Sequence, residues 1–421
     1  MAFRFKSRKT AFLLRSAVGL AIVVGITMMM IAWVSASRVA FVRSRFTLPS
    51  AVIKQGPQAT HPHLQWINMT SLQHGWALNR SDRLLVTWNG GHIWNRTPAV
   101  EVAGGGIENG TFWNTTQVQG FYALNARDVW VSAWIRHGFY RTTNGGRTWM
   151  KLQAPGAGWL DFLTPERGWL LTSGGVASGQ YPSDLYTTTD GGIHWHLVAS
   201  TSAGMTPGIT AKPPSDDLPE DLKAGLAFRS PTQGWIAASE PYYMGATPAP
   251  ALVRTTDSGT TWTSMPLPKE PGTGSPTASP PEFFPLTGQD GLIPLISWPF
   301  TPSLQSTRTQ TLVWYQTTDS GQRWTRAGQI TRVNQPTGMG ALDVSFVSAA
   351  DGWVLWGGQR LWHTDNGGRT WHSWVIHTPA YPGVRLVGID FLTARQGWAV
   401  SVRGQLLTTE DGGHIWKLVG A

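Results

Sequence analysis

The sequence predicts an all-β fold, a seven-bladed β-propeller of four-stranded antiparallel blades, preceded by a single N-terminal transmembrane helix. A turn motif that recurs seven times, with a short apolar run ending in Gly-Trp before most copies, predicts the propeller. Repeats with a period of roughly 40 to 60 residues indicate a propeller or a solenoid. A single uncharged stretch near the N-terminus predicts the helix.

The N-terminal stretch, residues 16–37, contains no charged side chain. A helix of this length spans roughly 33 Å at about 1.5 Å per residue, enough for a bilayer core. The basic segment 1–15 favours a cytoplasmic N-terminus, which puts the propeller on the extracytoplasmic side of the cell membrane. A cleaved signal peptide, and a secreted propeller, is the alternative, because Val34-Ser35-Ala36 resembles a cleavage site. Residues 38–63 are predicted to be a juxtamembrane linker, and residues 64–421 the propeller.

The charge distribution argues against a nucleic-acid partner. The chain has 33 Lys and Arg against 24 Asp and Glu, but eight of the basic residues precede residue 46, where there is no acid. The remainder, with 25 basic and 24 acidic residues, lacks the excess of cations that a phosphate backbone requires. The absence of cysteine excludes disulfides, thiol catalysis and Cys-ligated metal sites. The histidines are scattered, so we predict no metal site and no cofactor.

The last repeat supplies the template for one blade. Its strands are predicted over residues 387–391, 397–401, 405–409 and 415–419, which we term A, B, C and D in chain order. Short apolar strands separated by Gly-containing turns are typical of antiparallel sheets. The last repeat has its own strand D, so no blade is expected to be shared between the chain ends, although residues 51–54 could add an edge strand.

The turn motif joins strands C and D in every repeat. An Asp or Asn stands five residues before a Trp, and a Gly follows it by two residues. Because Asp and Asn accept hydrogen bonds from backbone N–H groups just ahead of them, and Gly adopts positive φ, we predict a structural and not a catalytic role. The Asp or Asn positions are Asn89, Asn144, Asp190, Asp257, Asp319, Asn366 and Asp411, and the closing residues are Trp94, Trp149, Trp195, Trp262, Trp324, Trp371 and Trp416.

The motif Thr-x-Asp/Asn-Gly/Ser-Gly-x-x-Trp resembles the Asp-box, or BNR repeat, of sialidases, sortilin-type receptors, xyloglucan-degrading propellers and photosystem II assembly factors. With the phrase that runs from Ile389-Asp390-Phe391 to Trp398, it is most similar to the photosystem II assembly factors and their bacterial relatives. The resemblance covers about residues 64–419 and implies the propeller fold. It implies little about function, because these families do unrelated things. If it extends to function, the partner is a membrane protein under assembly.

The insertions between repeats are predicted to lie on one face. In a four-stranded blade the C–D turns, here the Asp-boxes, share one end with the A–B turns; we call this the Asp-box face. The long insertions belong to B–C and D–A connections at the opposite end, the loop face: residues 95–119, 174–184, 201–223, 240–250, 266–281 and 297–311. Insertions on one face usually mark binding. The predicted binding residues are Tyr181, Tyr242, Tyr243, Trp298, Phe300 and Arg308, unless the aromatic rings only pin the loops to the propeller.

Two patterns bear on catalysis. The innermost strand, eight residues before each Gly-Trp tryptophan, carries Asn68, Asp161 and Asp390, which are predicted to form hydrogen bonds between blades; the other copies are Tyr122, Ala227, Phe284 and Ser345. The phrase Phe228-Arg229-Ser230-Pro231 resembles one in sialidases, where it opens the first blade. Here it falls in the fourth blade, so we predict a structural role for Arg229.

These observations favour a non-catalytic, membrane-anchored propeller that acts as a protein-binding or assembly scaffold. The alternative is a carbohydrate-active propeller, either a sialidase-like or other glycosidase, or a glycan-binding module. A glycosidase needs two carboxyl groups roughly 5 to 10 Å apart, and the sequence pattern does not single out such a pair.

Overall fold

The computed structural model describes residues 50–54, 56–81, 83–97, 120–133, 138–172, 183–201, 218, 222–239, 250–267, 276–278, 280–284, 288–297, 308–335, 342–379 and 382–420. The chain divides into two compact units, Met1–Arg45 and Phe46–Ala421, and all described residues belong to the second. The predicted segments 1–15 and 16–37 lie outside them. Within the described ranges no helix is long and apolar enough to cross a membrane.

The described residues form thirty strands in seven antiparallel sheets, each of which is one blade. The N-terminal strand and the strands of blades 1 and 2 are β1 Ser50–Lys54, β2 Leu64–Met69, β3 Gly75–Asn79, β4 Leu84–Thr87, β5 Asn95–Arg96, β6 Phe121–Ala123, β7 Val129–Ala133, β8 Gly138–Thr142 and β9 Thr148–Leu152. Blades 3 and 4 comprise β10 Gly158–Phe162, β11 Gly168–Thr172, β12 Asp184–Thr188, β13 His196–Ser200, β14 Leu222–Phe228, β15 Gly234–Ser239, β16 Pro250–Thr255 and β17 Thr263–Pro266.

Blade 5 has an additional short strand. It comprises β18 Pro276–Ala278, β19 Glu282–Phe284, β20 Asp290–Ser297, β21 Arg308–Thr317 and β22 Thr325–Gln335. Blades 6 and 7 comprise β23 Leu342–Phe346, β24 Gly352–Trp356, β25 Arg360–Thr364, β26 His372–Val375, β27 Leu386–Phe391, β28 Gly397–Ser401, β29 Leu406–Thr409 and β30 Lys417–Leu418.

The four strands A to D of each blade form a meander in which consecutive strands pair, and β1 and β18 add to this pattern by pairing with β9 and β20. The first strands of neighbouring blades contact one another, as β10 does with β14 and β23 does with β27, so strand A is innermost and strand D outermost. The predicted seven-bladed, four-stranded antiparallel propeller is therefore confirmed. The last strand, Lys417–Leu418, is shorter than predicted, because the N–H groups of Ile415 and Trp416 bond to Asp411 and to the carbonyl of His377 instead of to β29.

Aromatic stacking holds neighbouring blades together. The Gly-Trp tryptophan of strand B stacks on a Phe of strand A in the next blade: Trp169 on Phe228, with ring centroids 3.7 Å apart, and Trp353 on Phe391, at 3.9 Å. The Asp-box tryptophan meets the same Phe edge-on, as Trp416 does with Phe391 at 5.9 Å. Trp416 is 1% exposed, so this ring lies in the core between blades.

The ring closes between blades 7 and 1 by apolar packing and by hydrogen bonds, such as the one from Leu64 N to the carbonyl of Gly404 at 3.0 Å. Trp398 of blade 7 shares one apolar cluster with Ile67, Met69 and Trp94 of blade 1, and β2 lies against β27 and β28. As predicted, blades 7 and 1, where the ring closes, each have four consecutive strands, without one contributed by the other chain end.

The described residues 50–54 and 56–60 run along the outside of the first two blades; we call them the strap. Its strand β1 is the predicted edge strand, and it pairs antiparallel with β9 as a fifth strand of blade 2. Beyond it, the N–H groups of Gly56 and Ala59 donate to the carbonyls of Arg96 and Trp94 in blade 1, at 2.9 and 2.8 Å. The strap therefore links the outer strands of blades 1 and 2.

Candidate functional site

The seven Asp-boxes form seven copies of one hydrogen-bonded turn. In the last copy the Thr409 hydroxyl donates to Asp411 Oδ1 at 2.8 Å and accepts from Gly413 N at 2.9 Å, while Ile415 N donates to Asp411 Oδ1 at 3.0 Å. The other six copies repeat all three bonds. These contacts support the structural role predicted for the repeated residues.

Glycine is required in this turn for two reasons. Gly413 has a φ of 94°, a conformation that side chains other than glycine rarely adopt. A Cβ at this position would also lie 2.4 Å from the Leu361 side chain of blade 6. The turn of one blade thus approaches the neighbouring blade more closely than any other residue would permit.

The carboxylate of Asp411 is held in its charged form. Partial burial alone would raise its pKa, but hydrogen bonds from Ile415 N, the Thr409 hydroxyl and His414 N outweigh that effect and lower the pKa below its ordinary value. A carboxylate that accepts these bonds is a poor proton donor near neutral pH. The Asp-box is therefore unsuited to general acid catalysis.

The innermost strands carry a ring of seven equivalent positions, which we call the axial ring. Each pairs with the Gly-Trp tryptophan of strand B or its counterpart, as Asp161 does with Trp169 and Asp390 with Trp398. The members of the axial ring are Asn68, Tyr122, Asp161, Ala227, Glu282, Ser345 and Asp390.

In blade 5 the prediction that Phe284 occupies the axial ring was wrong. Glu282 pairs with Leu292, the counterpart of the Gly-Trp tryptophan, because this hairpin contains one additional residue pair, Phe284 opposite Asp290, before its turn. Phe283, not Phe284, lies beside Gly291 as Phe391 lies beside Gly397. The local order Glu-Phe, which matches Asp390-Phe391, is the sequence signal that identifies this position.

Several members of the axial ring bond to the next blade. Asp161 Oδ2 accepts from Phe228 N at 2.5 Å, Ser345 Oγ accepts from Phe391 N at 2.9 Å, and Asp390 Oδ2 accepts from Met69 N. The predicted bonds between blades are thus found for Asp161 and Asp390. Asn68 differs, since its buried Oδ1 has no partner within the described residues.

Asp343, two residues before Ser345, adds a fourth carboxyl group on the innermost strands that the sequence pattern did not identify. Its Oδ2 accepts from Ile389 N of blade 7 at 2.8 Å, and its Oδ1 accepts from Val344 N at 2.9 Å. The residue is 8% exposed. The sequence signal that could have identified Asp343 is its charge within the otherwise largely apolar strand Leu342–Phe346.

Burial raises the pKa of all four carboxyl groups, Asp161, Glu282, Asp343 and Asp390, to about 7. In addition to burial, the charge of Asp390 raises the pKa of Glu282. For Asp343, hydrogen bonds from Ile389 N and Val344 N lower the pKa and the charge of Asp390 raises it, but burial is the largest effect. Glu282, Asp343 and Asp390 lie on consecutive blades, 5 to 7. We call them the axial acids.

The axial acids differ in how they are bound. Asp343 and Asp390 accept backbone N–H groups, whereas no hydrogen bond joins the Glu282 carboxyl to any described residue. Glu282 thus has a pKa suited to proton transfer near neutrality. No group of three or more His, Asp or Glu side chains in the described ranges is arranged to hold a metal ion.

Arg229, from the sialidase-like phrase, contacts the neighbouring blade. Its Nε donates to the carbonyl of Gly288 at 3.1 Å, its Nη1 donates to Gln233 Oε1 at 2.6 Å, and its guanidinium lies 5.8 Å from the centre of the Phe283 ring. These contacts tie blade 4 to blade 5. They fit the structural role predicted for Arg229.

The predicted binding residues of the loop face stay predictions. Tyr181, Tyr242, Tyr243, Trp298 and Phe300 lie outside the described residues. Arg308 begins β21, and its side chain is not described. The strands on either side of these positions do end at the face opposite the Asp-boxes, because the insertions join strands B to C or D to A.

Blade 5 extends farther toward the loop face than the other blades. Its strands β20, β21 and β22 have 8, 10 and 11 residues. The short strand β18 pairs with the far end of β20, where Pro276 lies opposite Ser297. Trp298 and Phe300, which lie outside the described residues, follow this end of β20 in the sequence.

Comparison with known proteins gives one family match. The model of the family described as photosynthesis system II assembly factor YCF48 matches residues 325–420, which run from β22 through blade 7. The similarity predicted from the Asp-box and Gly-Trp motifs is thus confirmed for this part of the chain. No curated protein matches the chain.

Solved structures with a similar chain path include two of YCF48. One, titled YCF48 bound to D1 peptide, is 16% identical with a TM-score of 0.47, and the match covers 86% of this chain and 97% of that one. YCF48 from Cyanidioschyzon merolae is 18% identical with a TM-score of 0.46, over 86% and 99% of the two chains. An α-L-arabinanase from Penicillium chrysogenum is 13% identical with a TM-score of 0.39, over 86% and 98%.

Proposed function

We propose that this protein is a non-catalytic scaffold that binds a partner protein through its loop face and takes part in the assembly of a membrane complex. The single observation that carries the proposal is the contrast between the two faces. The Asp-box face consists of seven near-identical turns, whereas blade 5 is extended and all the long insertions belong to the loop face. Variation confined to one face of a repeat protein usually marks recognition.

The hydrogen bonding of the inner strands supports a non-catalytic role. Asp161, Asp343 and Asp390 each accept a backbone N–H group of the neighbouring blade. Carboxyl groups engaged in this way have a packing role that explains their burial. The description of the family that matches residues 325–420, an assembly factor, favours a protein partner over a small substrate.

Residues 16–37 supply the proposed membrane anchor. Their lack of charge and their length fit one membrane-spanning helix, and the basic residues before them favour a propeller outside the cytoplasm. Protease treatment of intact cells, with the outer envelope made permeable where there is one, tests this topology. The propeller should be digested while the protein stays in the membrane fraction after alkaline washing; protection from protease, or release by the wash, contradicts the proposal.

The binding proposal is tested by affinity capture of the full-length protein from solubilised membranes. We expect a protein partner that is recovered with the wild type and reduced by Tyr242→Ala on the loop face. Leu72→Ala is the matched control, because Leu72 is 47% exposed on the Asp-box face. Equal recovery with both variants contradicts binding through the residue 240–249 loop, and a wild type that captures no protein contradicts the scaffold.

A carbohydrate-active propeller is the second candidate, and one observation favours it. Glu282 has a pKa of about 7 from burial and from the charge of Asp390, and its carboxyl makes no hydrogen bond to a described residue. Two neighbouring carboxyl groups, one of them protonated, are what a glycosidase requires. Assays of the purified protein on a panel of glycosides test this. Turnover that is abolished in Glu282→Gln, with the unfolding midpoint unchanged, favours the enzyme; absence of turnover favours the scaffold.

A further inference from the structure

The outer edge of blade 5 is long. Strand β22 has 11 residues, whereas the outermost strands of the other blades, β5, β9, β13, β17, β26 and β30, have two to five. It pairs with β21 on one side only, and no described strand pairs with its other edge. An edge of this kind presents backbone N–H and C=O groups that can pair with another extended chain.

Blade 2 provides a precedent within the same molecule. Its outermost strand, β9, pairs with β1 of the strap in antiparallel register, with Val52 opposite Met150 and Lys54 opposite Thr148. The equivalent edge of blade 2 is therefore occupied by an extended segment of five residues. The outward backbone groups of a D strand in this propeller can thus accept an added strand.

Strand β22 is held firmly from within. Ile330 is 2% exposed and packs in one cluster with Leu342 and Val344 of blade 6. From Gln310 opposite Arg332 to Trp314 opposite Gly328, the pairing of β21 and β22 runs without a shift of register. The strand is therefore ordered before any partner binds, which lowers the entropic cost of adding a strand to it.

The side chains that face outward from β22 are polar. Thr325, Arg326, Gln329 and Thr331 are exposed. The strand contains no Pro and no Lys, two residue types that commonly protect exposed edges from pairing. The exposed side chains of β22 are thus polar, and neither Pro nor Lys prevents another strand from pairing with its edge.

The charge of this region is positive. Residues 308–335 contain four arginines and one acid, Asp319, in a chain whose remainder after residue 45 is nearly neutral. Asp319 accepts from the Thr317 hydroxyl and from Arg323 N, so its carboxylate serves its own turn. A segment that complements this edge would carry negative charge.

We propose that the outer edge of β22 binds an extended, acidic segment of a partner protein as an added antiparallel strand. This inference rests on the proposed scaffold function and specifies where the partner binds and in what conformation. Main-chain hydrogen bonds to β22 would supply affinity, and Arg326 would favour acidic over basic segments.

The test uses the full-length protein in detergent and a fluorescent, capped peptide of eight alternating glutamate and valine residues. Fluorescence anisotropy should detect binding that is lost when four consecutive central peptide nitrogens are methylated, because methylation removes the donors of an added strand. The counterpart with lysine in place of glutamate should bind more weakly. Binding unaffected by methylation, preference for the lysine peptide, or no binding of the glutamate peptide overturns the proposal.

Two matched substitutions locate the site. Arg326 donates to Gln329, and Arg360 on β25 donates to Ser373, so both are exposed arginines that bond to a side chain of their own blade. Arg326→Glu should weaken peptide binding about fivefold or more, whereas Arg360→Glu should leave it within twofold. Equal effects overturn the proposal.

A photoreactive residue at Gln329 should crosslink to the glutamate peptide, and one at Ser264, exposed on β17 of blade 4, should not. Stronger crosslinking at Ser264 places the peptide elsewhere and overturns the inference. If Arg326→Glu captures the membrane partner as well as the wild type does, the edge inference fails while the scaffold function stands. If the wild type captures no partner at all, the proposed function fails.

Discussion

At the residue scale, the Asp, Asn and Thr side chains of the Asp-boxes satisfy their hydrogen bonds within their own turns. The Asp or Asn of each Asp-box accepts from the Thr two positions earlier and from the N–H four positions later. The following Trp packs between strands, and the Nε1 of Trp416 donates to the carbonyl of Gly413 at 2.9 Å. Substitutions at these positions should therefore change stability before they change binding.

Asp411→Ala removes the acceptor for Ile415 N and for the Thr409 hydroxyl. By analogy with lost helix caps, we expect the free energy of unfolding to fall by about 1 kcal/mol. Denaturant unfolding measures it, with Glu410→Ala as the control, since the Glu410 side chain is 71% exposed. Loss of partner binding at unchanged stability contradicts the structural assignment.

Trp416→Ala should cost more, roughly 3 to 5 kcal/mol, because the indole is almost fully buried and its removal leaves a cavity. Trp371 occupies the same position in blade 6 but is only partly buried, so Trp371→Ala is expected to cost less. Equal losses of unfolding free energy in the two variants would show that burial does not set the effect. A near-neutral Trp416→Ala would contradict the packing described between blades.

At the element scale, the motifs predicted the strands because each blade repeats the same local constraints: a glycine turn, a tryptophan that opens strand D, and an apolar inner strand. The repeat pattern did not identify Glu282, because an additional residue pair in the blade 5 hairpin places this position ten residues, not eight, before the counterpart of the Gly-Trp tryptophan. It also missed Asp343, since its partner, Ile389 N, lies 46 residues away in another blade. Asp343 lies outside the strand position from which the bonds of Asp161 and Asp390 were predicted, so the repeat pattern did not identify its contact.

Removal of the strap should destabilise the propeller. A variant that lacks residues 1–60 loses β1 and the bonds from Gly56 N and Ala59 N to blade 1, and each lost hydrogen bond costs about 1 kcal/mol. A variant that lacks residues 1–49 keeps all of them and is the control. We expect a lower thermal unfolding midpoint for the first variant than for the second; equal midpoints would contradict a structural role for the strap.

At the scale of the whole molecule, the inner carboxyl groups make stability depend on pH. Burial raises the pKa of Asp161, Glu282, Asp343 and Asp390 from ordinary carboxyl values to about 7. Between about pH 4 and 7 the folded state therefore binds more protons than the unfolded state, so the free energy of unfolding decreases as pH rises. The stabilising effect of these groups is complete below the unfolded pKa and lost above pH 7.

Denaturant unfolding from pH 5 to pH 8 measures this dependence, and we expect lower stability at pH 8. Asp343→Asn should reduce the slope, because its amide oxygen can still accept from Ile389 N but no longer titrates. If Asp343→Asn does not change the slope of stability against pH, or if stability rises with pH over this range, the pKa values assigned to the axial acids are contradicted. The Asp-box acids do not interfere, since hydrogen bonds lower their pKa values despite partial burial.

The propeller as a whole separates a uniform face that holds the ring together from a variable face that we propose for recognition. Crosslinking in intact membranes, followed by mass spectrometry, tests this division most directly. We predict crosslinks between a partner protein and the loop face or the outer edge of β22, with few on the Asp-box turns. Partner crosslinks concentrated on the Asp-box face, or none to any protein, would contradict the account.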